Sequence, residues 1–174
     1  GGFVKKAPKA LPLQMAPTGN APLDQFVEDS QVLLMDLTIE AERINDPLIS
    51  EKTEELTVLC RYIFSMIVKQ PEKLSQIRMF MNYYLPTAAN LLRKYREMKN
   101  QPVREDLLQQ TYQQLLQALD LIIPACEKQL KALHQDDILD MRVDVEVLEK
   151  ILKKDGLLDS DLSPPCEPPP SSTI

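Results

Sequence analysis

Tryptophan is absent from this 174-residue chain, glycine occurs four times and histidine once. With no glycine-rich loop there is no backbone cradle for a phosphate, which removes the common nucleotide-binding folds. The single histidine, His134, has no good Cys or Asp partner at ligand spacing and cannot build a zinc site alone, so it reads as a polar helix end. Three cysteines, Cys60, Cys126 and Cys166, are odd in number and show no CxxC spacing. They support neither a disulfide framework nor a thiolate metal site. Cys60 and Cys126 fall on apolar helical faces and read as buried, reduced thiols of a reducing compartment. No apolar run approaches a membrane span, since the longest, Leu119 to Cys126, is broken by Asp120 and Pro124. Basic charge is also in deficit: 20 Lys and Arg against 26 Asp and Glu leave a net charge of −6. That balance argues against non-specific nucleic-acid binding, which needs a basic footprint.

What is present is helical. A hydrophobic fraction of 44% with scarce glycine fits long helices rather than sheets, and no β-type alternation or internal repeat stands against it. Residues 1–20 carry Lys5, Lys6 and Lys9 among prolines and read as an extended arm, and residues 159–174 as a Pro/Ser-rich disordered tail. Residues 21–158 between them read as one helical domain. The first helix is expected from Pro22 to about Ile44, with Leu23, Phe26, Leu33, Leu37, Ala41 and Ile44 on one face and Ser30 as a polar intruder. Asn45-Asp46-Pro47 supplies a break, an N-cap and a proline at the first helical position. The second helix, about 47–69, has the seam Ile49, Leu56, Leu59, Ile63 and Met66, with Lys52 where an apolar residue is expected.

Gln70-Pro71 opens a third helix running to about Lys99. Its seam, Leu74, Ile77, Met81, Tyr84, Ala88, Leu91, Tyr95 and Met98, alternates steps of three and four without a break across Pro86. Proline in a helix interior removes a hydrogen bond and clashes with the turn before it, so a kinked but continuous helix is expected there, with the Asn82 carbonyl freed. A fourth helix, about 103–134, carries two apolar stripes and a bend at Pro124. Gln135 to Leu139 reads as a connection into a short last helix, about 141–155, whose core face is Val143, Val147, Leu148, Ile151 and Leu152, and which Gly156 ends. The architecture predicted is all-α: an elongated antiparallel bundle of three to four long helices plus a short C-terminal one.

Candidate chemistry is sparse. Asp136, Asp137 and Asp140 spell DDxxD, which can present carboxylates to Mg²⁺ and a diphosphate, but such a site needs a second acidic set across a deep cavity. This chain has no second set, and acids at a helix start are accounted for by the helix dipole. Asp144-Val145-Glu146-Val147 has the form of an aspartyl-phosphate loop but lies in a helical period rather than at the end of a strand. Six residues after Cys60 and Cys126 stand Met66 and Ala132, not the Arg of a cysteine phosphatase. The run Arg93-Lys94-Tyr95-Arg96 with Lys99, Arg104 and Arg78, and with Tyr83 exposed nearby, could form a positive patch for an anionic partner surface or lipid headgroups, or simply a solvated helix face. No catalytic or cofactor-binding residue is assigned and no cofactor is expected. If the chain hydrolyses a phosphoester, the candidate metal ligands are Asp136, Asp137, Asp140 and Asp144.

Two stretches carry a resemblance: IRMFMNYYLPTAANLLRKYREM at 77–98 and DILDMRVDVEVLEKILKKDGL at 137–157. From about Gln76 to Leu157 the chain resembles the bacterial 5-bromo-4-chloroindolyl phosphate hydrolysis protein family, also called XpaC-like. Its members show F-x-N-Y-Y-L-P-T followed by L-L-x-x-Y, and a D-x-x-x-D-x-x-x-L-x-x-x-L-x-x-D-G-L ending. The resemblance implies a hydrolysis phenotype without a defined active site, an association with TelA-like toxic-anion-resistance proteins, and membrane segments upstream in many members. Lys5 and Lys6 would suit a cytoplasmic juxtamembrane position, and the chain, opening on Gly1, reads as a fragment of a longer protein. The expected role is a non-enzymatic helical interaction module with a protein partner at the cytoplasmic membrane face; homo-oligomerisation is left open, and the alternative is a metal-dependent phosphoester hydrolase.

Overall fold

The computed structural model describes residues 17–159, so the basic arm up to residue 16, Cys166 and the tail from residue 160 lie outside the described residues. Among those described there is no strand. The chain falls into two compact units, divided between Leu133 and His134.

In the first unit, helix α1 spans Ala21–Ile44 and α2 spans Pro47–Lys69. Each start is set by a side-chain cap followed by a proline whose missing N–H costs nothing there. Asn20 Oδ1 accepts from Leu23 N at 3.2 Å and Asp46 Oδ2 from Ile49 N at 3.0 Å. Thr18 adds a second tie at the start of α1, donating from N and Oγ1 to Asp24 Oδ1 at 3.0 and 2.9 Å. Between the two helices Asn45 takes the left-handed conformation, φ 56°, which turns the chain within two residues.

α1 packs against α2 and against α3, Leu85–Lys99. Leu37, Ile44, Ile49, Leu56, Leu59, Ile63, Phe64, Ile67, Leu85, Leu92 and Leu119 are fully buried, and Phe26 meets Phe64 edge to face at 5.4 Å. The intruder Ser30 is buried as well, its hydroxyl donating to Val27 O at 3.0 Å. A serine bonding back into its own helix needs no outside partner.

The approach to Pro86 is more varied than the seam foretold. Pro71–Ile77 is 3₁₀, Phe80–Tyr84 is π-wound, and α3 follows with Met79, Tyr84 and Leu85 all in right-handed helical conformation. The helical backbone therefore continues across Pro86. Leu85 N–H bonds to Phe80 O, five residues back, so one extra residue sits in the turn that the proline would otherwise crowd. The extra residue also shifts the core face. Ile77, Phe80, Leu85, Ala88, Leu92 and Tyr95 are buried, with a step of five at the π-turn, while the expected Leu74, Met81, Tyr84 and Leu91 are only half-buried.

Helix α4 corrects the sequence reading at another point. It runs from Glu105 to Lys154 through residues 135–139, where a connection was expected, and through Pro124. Residues 135–139 contain neither proline nor glycine, so nothing in them stops helical winding. Of the two stripes on its first part, Leu116, Leu119, Ile123, Cys126 and Leu133 form the buried one, joined by Leu115.

The second unit is described by its helix from His134 onward, which closes as expected. Gly156 has φ 76°, its N–H bonds to Lys153 O and Leu157 N–H bonds to Leu152 O, the paired bonds of a Schellman cap. Its expected core face departs from the reading. Val143, Val147, Leu148 and Ile151 are each about half exposed rather than buried.

Candidate functional site

Four places in the fold bring chemistry-bearing side chains together, and each is built by the helix geometry just described. At the α1–α3 contact, Glu40 lies on the core side of α1, one turn beyond Leu37, and is buried. Arg96 reaches it from α3, Nε to Oε2 at 2.6 Å and Nη2 to Oε1 at 3.4 Å, and Arg43 stands 3.6 Å from Oε1. The hydrogen bond to Glu40, and the negative charge of Glu40 and Glu97, raise the Arg96 pKa above its ordinary value against the opposing effect of burial. Beside this pair, Lys99 Nζ donates to Ile44 O at 2.8 Å and so caps the last turn of α1.

This arrangement redistributes the expected positive patch. Arg96 is turned inward and Lys99, though exposed, reaches back to Ile44 O, so both tie α3 to α1, and Arg93 stands 4.0 Å from Asp36. Lys94 is exposed, and exposed Arg78 lines a shallow cavity with Phe26, Asp29, Leu74 and Met81. Tyr83 is exposed, its ring 5.8 Å from that of Tyr84.

The second place is the α2 start. Asp46 Oδ2, already the cap of α2, also accepts from Tyr112 OH of α4 at 2.8 Å. Tyr112 stacks obliquely on Tyr95 of α3, centroids 5.6 Å apart. Burial first, then the bond to Asp46 and the carboxylate charge, push the Tyr112 phenol up to about 12; burial and the charges of Asp46 and Glu105 raise Tyr95 too. One carboxylate thereby joins α2 to α4, and the ring contact of Tyr112 with Tyr95 extends the tie to α3. About four turns further along α2 and α4, Cys60 and Cys126 are free, buried and hydrogen-bonded to each other, and that bond together with burial pushes the Cys126 thiol up. Protonated thiols of this kind pack as small apolar groups and are poor nucleophiles.

A third feature is an open cavity of about 330 Å³ between α1 and α2, lined by Thr38, Glu42, Ser50, Thr53, Thr57 and Arg61 among others. Thr57 donates to Glu54 O at 3.0 Å, whereas Thr53 Oγ1, buried, makes no hydrogen bond to any described group.

The acidic cluster is the fourth. Asp136, Asp140 and Asp144 follow one another at i, i+4 and i+8 along α4 and are exposed, and Asp137 is half-buried. Among the described residues no group of three or more His, Cys, Asp or Glu is arranged to hold a metal ion. His134 is exposed beside them.

Sequence reasoning missed the buried charges. Glu40 and Lys73 are both almost inaccessible, and Lys73 Nζ donates to Leu133 O at 2.5 Å. A signal for Glu40 existed: it sits three residues after Leu37, on the apolar face, with a basic run elsewhere to answer it. Lys73, the third residue of the 3₁₀ segment, gave none, because the change of winding there is not visible in the spacing. Lys52, flagged as out of place on its seam, bridges to Asp120 of α4 at 2.6 Å.

No helix among the described residues is long and apolar enough to cross a membrane. A family model described as 5-bromo-4-chloroindolyl phosphate hydrolysis protein matches residues 22–148, about three quarters of the chain. Neither the curated proteins nor the solved structures include a match.

Proposed function

The chain belongs to the 5-bromo-4-chloroindolyl phosphate hydrolysis protein family, and from that premise we propose that it is a non-enzymatic helical interaction module, docking a helical protein partner on the second half of α4. One observation carries the reading. Between Ile138 and Ile151 eight large apolar side chains are each about half exposed or more. Holding that much apolar surface in water is unfavourable, by about 25 cal/mol per Å² left uncovered, and contiguous patches of this kind mark interaction sites. A TelA-like toxic-anion-resistance protein at the cytoplasmic membrane face is the first candidate partner, on the strength of the family alone.

The opposing reading takes the family description literally, with Asp136, Asp137, Asp140 and Asp144 as metal ligands. Two measurements separate the readings. The purified chain is expected to leave the indolyl phosphate intact with Mg²⁺, Mn²⁺ or Zn²⁺ present. It is also expected to retain a purified TelA-like protein, and to lose it when Val143 and Val147 are both changed to Glu. Metal-dependent hydrolysis that disappears on Asp136→Asn and Asp140→Asn would overturn the proposal.

A further inference from the structure

The exposed apolar residues of the second unit fall into two sets, and only one has coiled-coil spacing. Ile138, Met141, Val145, Leu148 and Leu152 follow steps of three, four, three and four, the period of a seam that faces another helix along its whole length. The first four are 58%, 67%, 60% and 56% exposed. In heptad letters Ile138, Val145 and Leu152 are a, Met141 and Leu148 are d. Arg142 and Glu149 then flank the seam at e, and Asp144 and Ile151 at g. Leu139, Val143 and Val147 lie at b, f and c, away from it.

The flanking charges distinguish the arrangements open to two copies. In a parallel pair, g faces the next e of the partner, which sets Asp137 against Arg142 but Asp144 against Glu149, and the d-layer sets Asp155 against its own copy. In an antiparallel pair, a packs on d and e faces e. Val145 then packs on Leu148, Met141 on Leu152, and Arg142 meets Glu149 twice by symmetry, with no like charges opposed. Asp155 falls at the two ends, beside Ile138. The flanking charges are thus opposed only as unlike pairs in the antiparallel direction, whereas the parallel one mixes one unlike pair with two like ones, and the antiparallel contact is isologous.

We infer that a second copy of this chain covers the Ile138–Leu152 seam, packed antiparallel. The inference rests on the reading of this half-helix as an interaction surface, and it assigns the seam to self-association and the Leu139–Val143–Val147 side to the other partner. About two heptads would be short for a coiled coil of free peptides. Here the helix is already formed, because α4 is continuous from Glu105 and the Gly156 cap closes its end. The nucleation cost that defeats short isolated helices is thus not charged to the contact.

Sedimentation equilibrium of the 174-residue chain over a concentration series is the test. A reversible monomer–dimer equilibrium is expected. Val145→Glu with Leu148→Glu should leave a monomer at every concentration, with unchanged circular dichroism and with the melting of the parent chain at its dilute, monomeric limit, since both side chains are exposed. Glu149→Arg should weaken the dimer about tenfold by opposing Arg142 twice, and adding Arg142→Glu should restore it. A chain monomeric throughout, or a dimer that survives the seam substitution, overturns the inference. So does a dimer tightened by Glu149→Arg, because a parallel pair would gain from that change. A monomeric chain that still retains the TelA-like protein would sink self-association and leave the proposed function standing. Conversely, a seam-dependent dimer that retains no partner would sink the proposed function and support self-association.

Discussion

The two parts of α4 carry the same kind of pattern and meet opposite fates. Up to Leu133 its apolar stripe is buried, with Leu119, Cys126 and Leu133 inaccessible; from Ile138 on, residues of the same type and spacing are half exposed or more. Helical periodicity announces that a face exists. It does not say whether that face is covered by the same chain. The first part is answered by α2 through specific ties, Asp46 to Tyr112, Lys52 to Asp120 and Cys60 to Cys126, and by Tyr95 of α3 against Tyr112, whereas the second shows a regular apolar seam that stays exposed.

The sharpest way to break this comparison is to truncate one leucine in each part. Leu119→Ala removes a fully buried side chain and should cost about 2–5 kcal/mol in chemical denaturation. Leu148→Ala, at an exposed position, should move the same transition by no more than about 0.5 kcal/mol in dilute solution, where the seam is uncovered. Equal costs would mean that the second part is packed within its own chain. The next effect in size is at the shared carboxylate. Asp46→Ala removes the α2 cap and the acceptor of Tyr112 together, and should cost about 1–2 kcal/mol. No capping residue of the second part should match it, because the Gly156 cap uses backbone groups alone.

How much of this was legible follows the same division. The start of α2, the caps and prolines, the continuity of the chain through Pro86 and the second stripe of α4 are consequences of local rules, and the residues state them. The family could be recognised from the stretch around Pro86 and the D-x-x-x-D ending. Three things were not legible, for physical reasons. The π-turn shifts the core face toward Leu85 and Leu92 from Tyr84 and Leu91, because one inserted residue rotates the helix after it, while Ala88 and Tyr95 stay on the buried side. Arg96 and Lys99 read as surface charge because the acceptors that hold them, Glu40 and Ile44 O, lie more than fifty residues away. The connection expected at 135–139 does not form, because Asp and Gln are tolerated in an exposed helix interior at a few tenths of a kcal/mol each.

A smaller effect tests the buried side of the comparison through pH. Tyr112 holds its proton in the folded state up to about 12, against an ordinary value of 10.0, through burial and its bond to Asp46. The stabilisation is complete below pH 10. Above it the unfolded chain releases the proton while the folded chain keeps it, so stability falls as pH rises and this contribution is gone near 12. Tyr112→Phe should cost about 1 kcal/mol at neutral pH and flatten the decline between pH 10 and 12, leaving the weaker contribution of Tyr95, whose pKa is raised as well. An unaltered alkaline slope would show that the Asp46 contact does not hold in solution.

The smallest expected effect concerns the Lys52–Asp120 ion pair between α2 and α4, and it probes where the covered part of α4 meets water. Lys52 and Asp120 are 2.6 Å apart, but the Asp120 side chain is 58% exposed. A pair of that exposure is worth about 0.2–1 kcal/mol and is screened by salt. Lys52→Met should therefore cost little at low ionic strength and nothing measurable near 1 M salt, where the Debye length is about 3 Å. The substitution also places an apolar side chain on a seam position that the periodicity of α2 expects to be apolar. A gain in stability at high salt would identify Lys52 as a residue kept for the α4 contact at the expense of packing. A loss that salt does not relieve would instead place the pair out of reach of the solvent, and with it more of α4 than its first stripe.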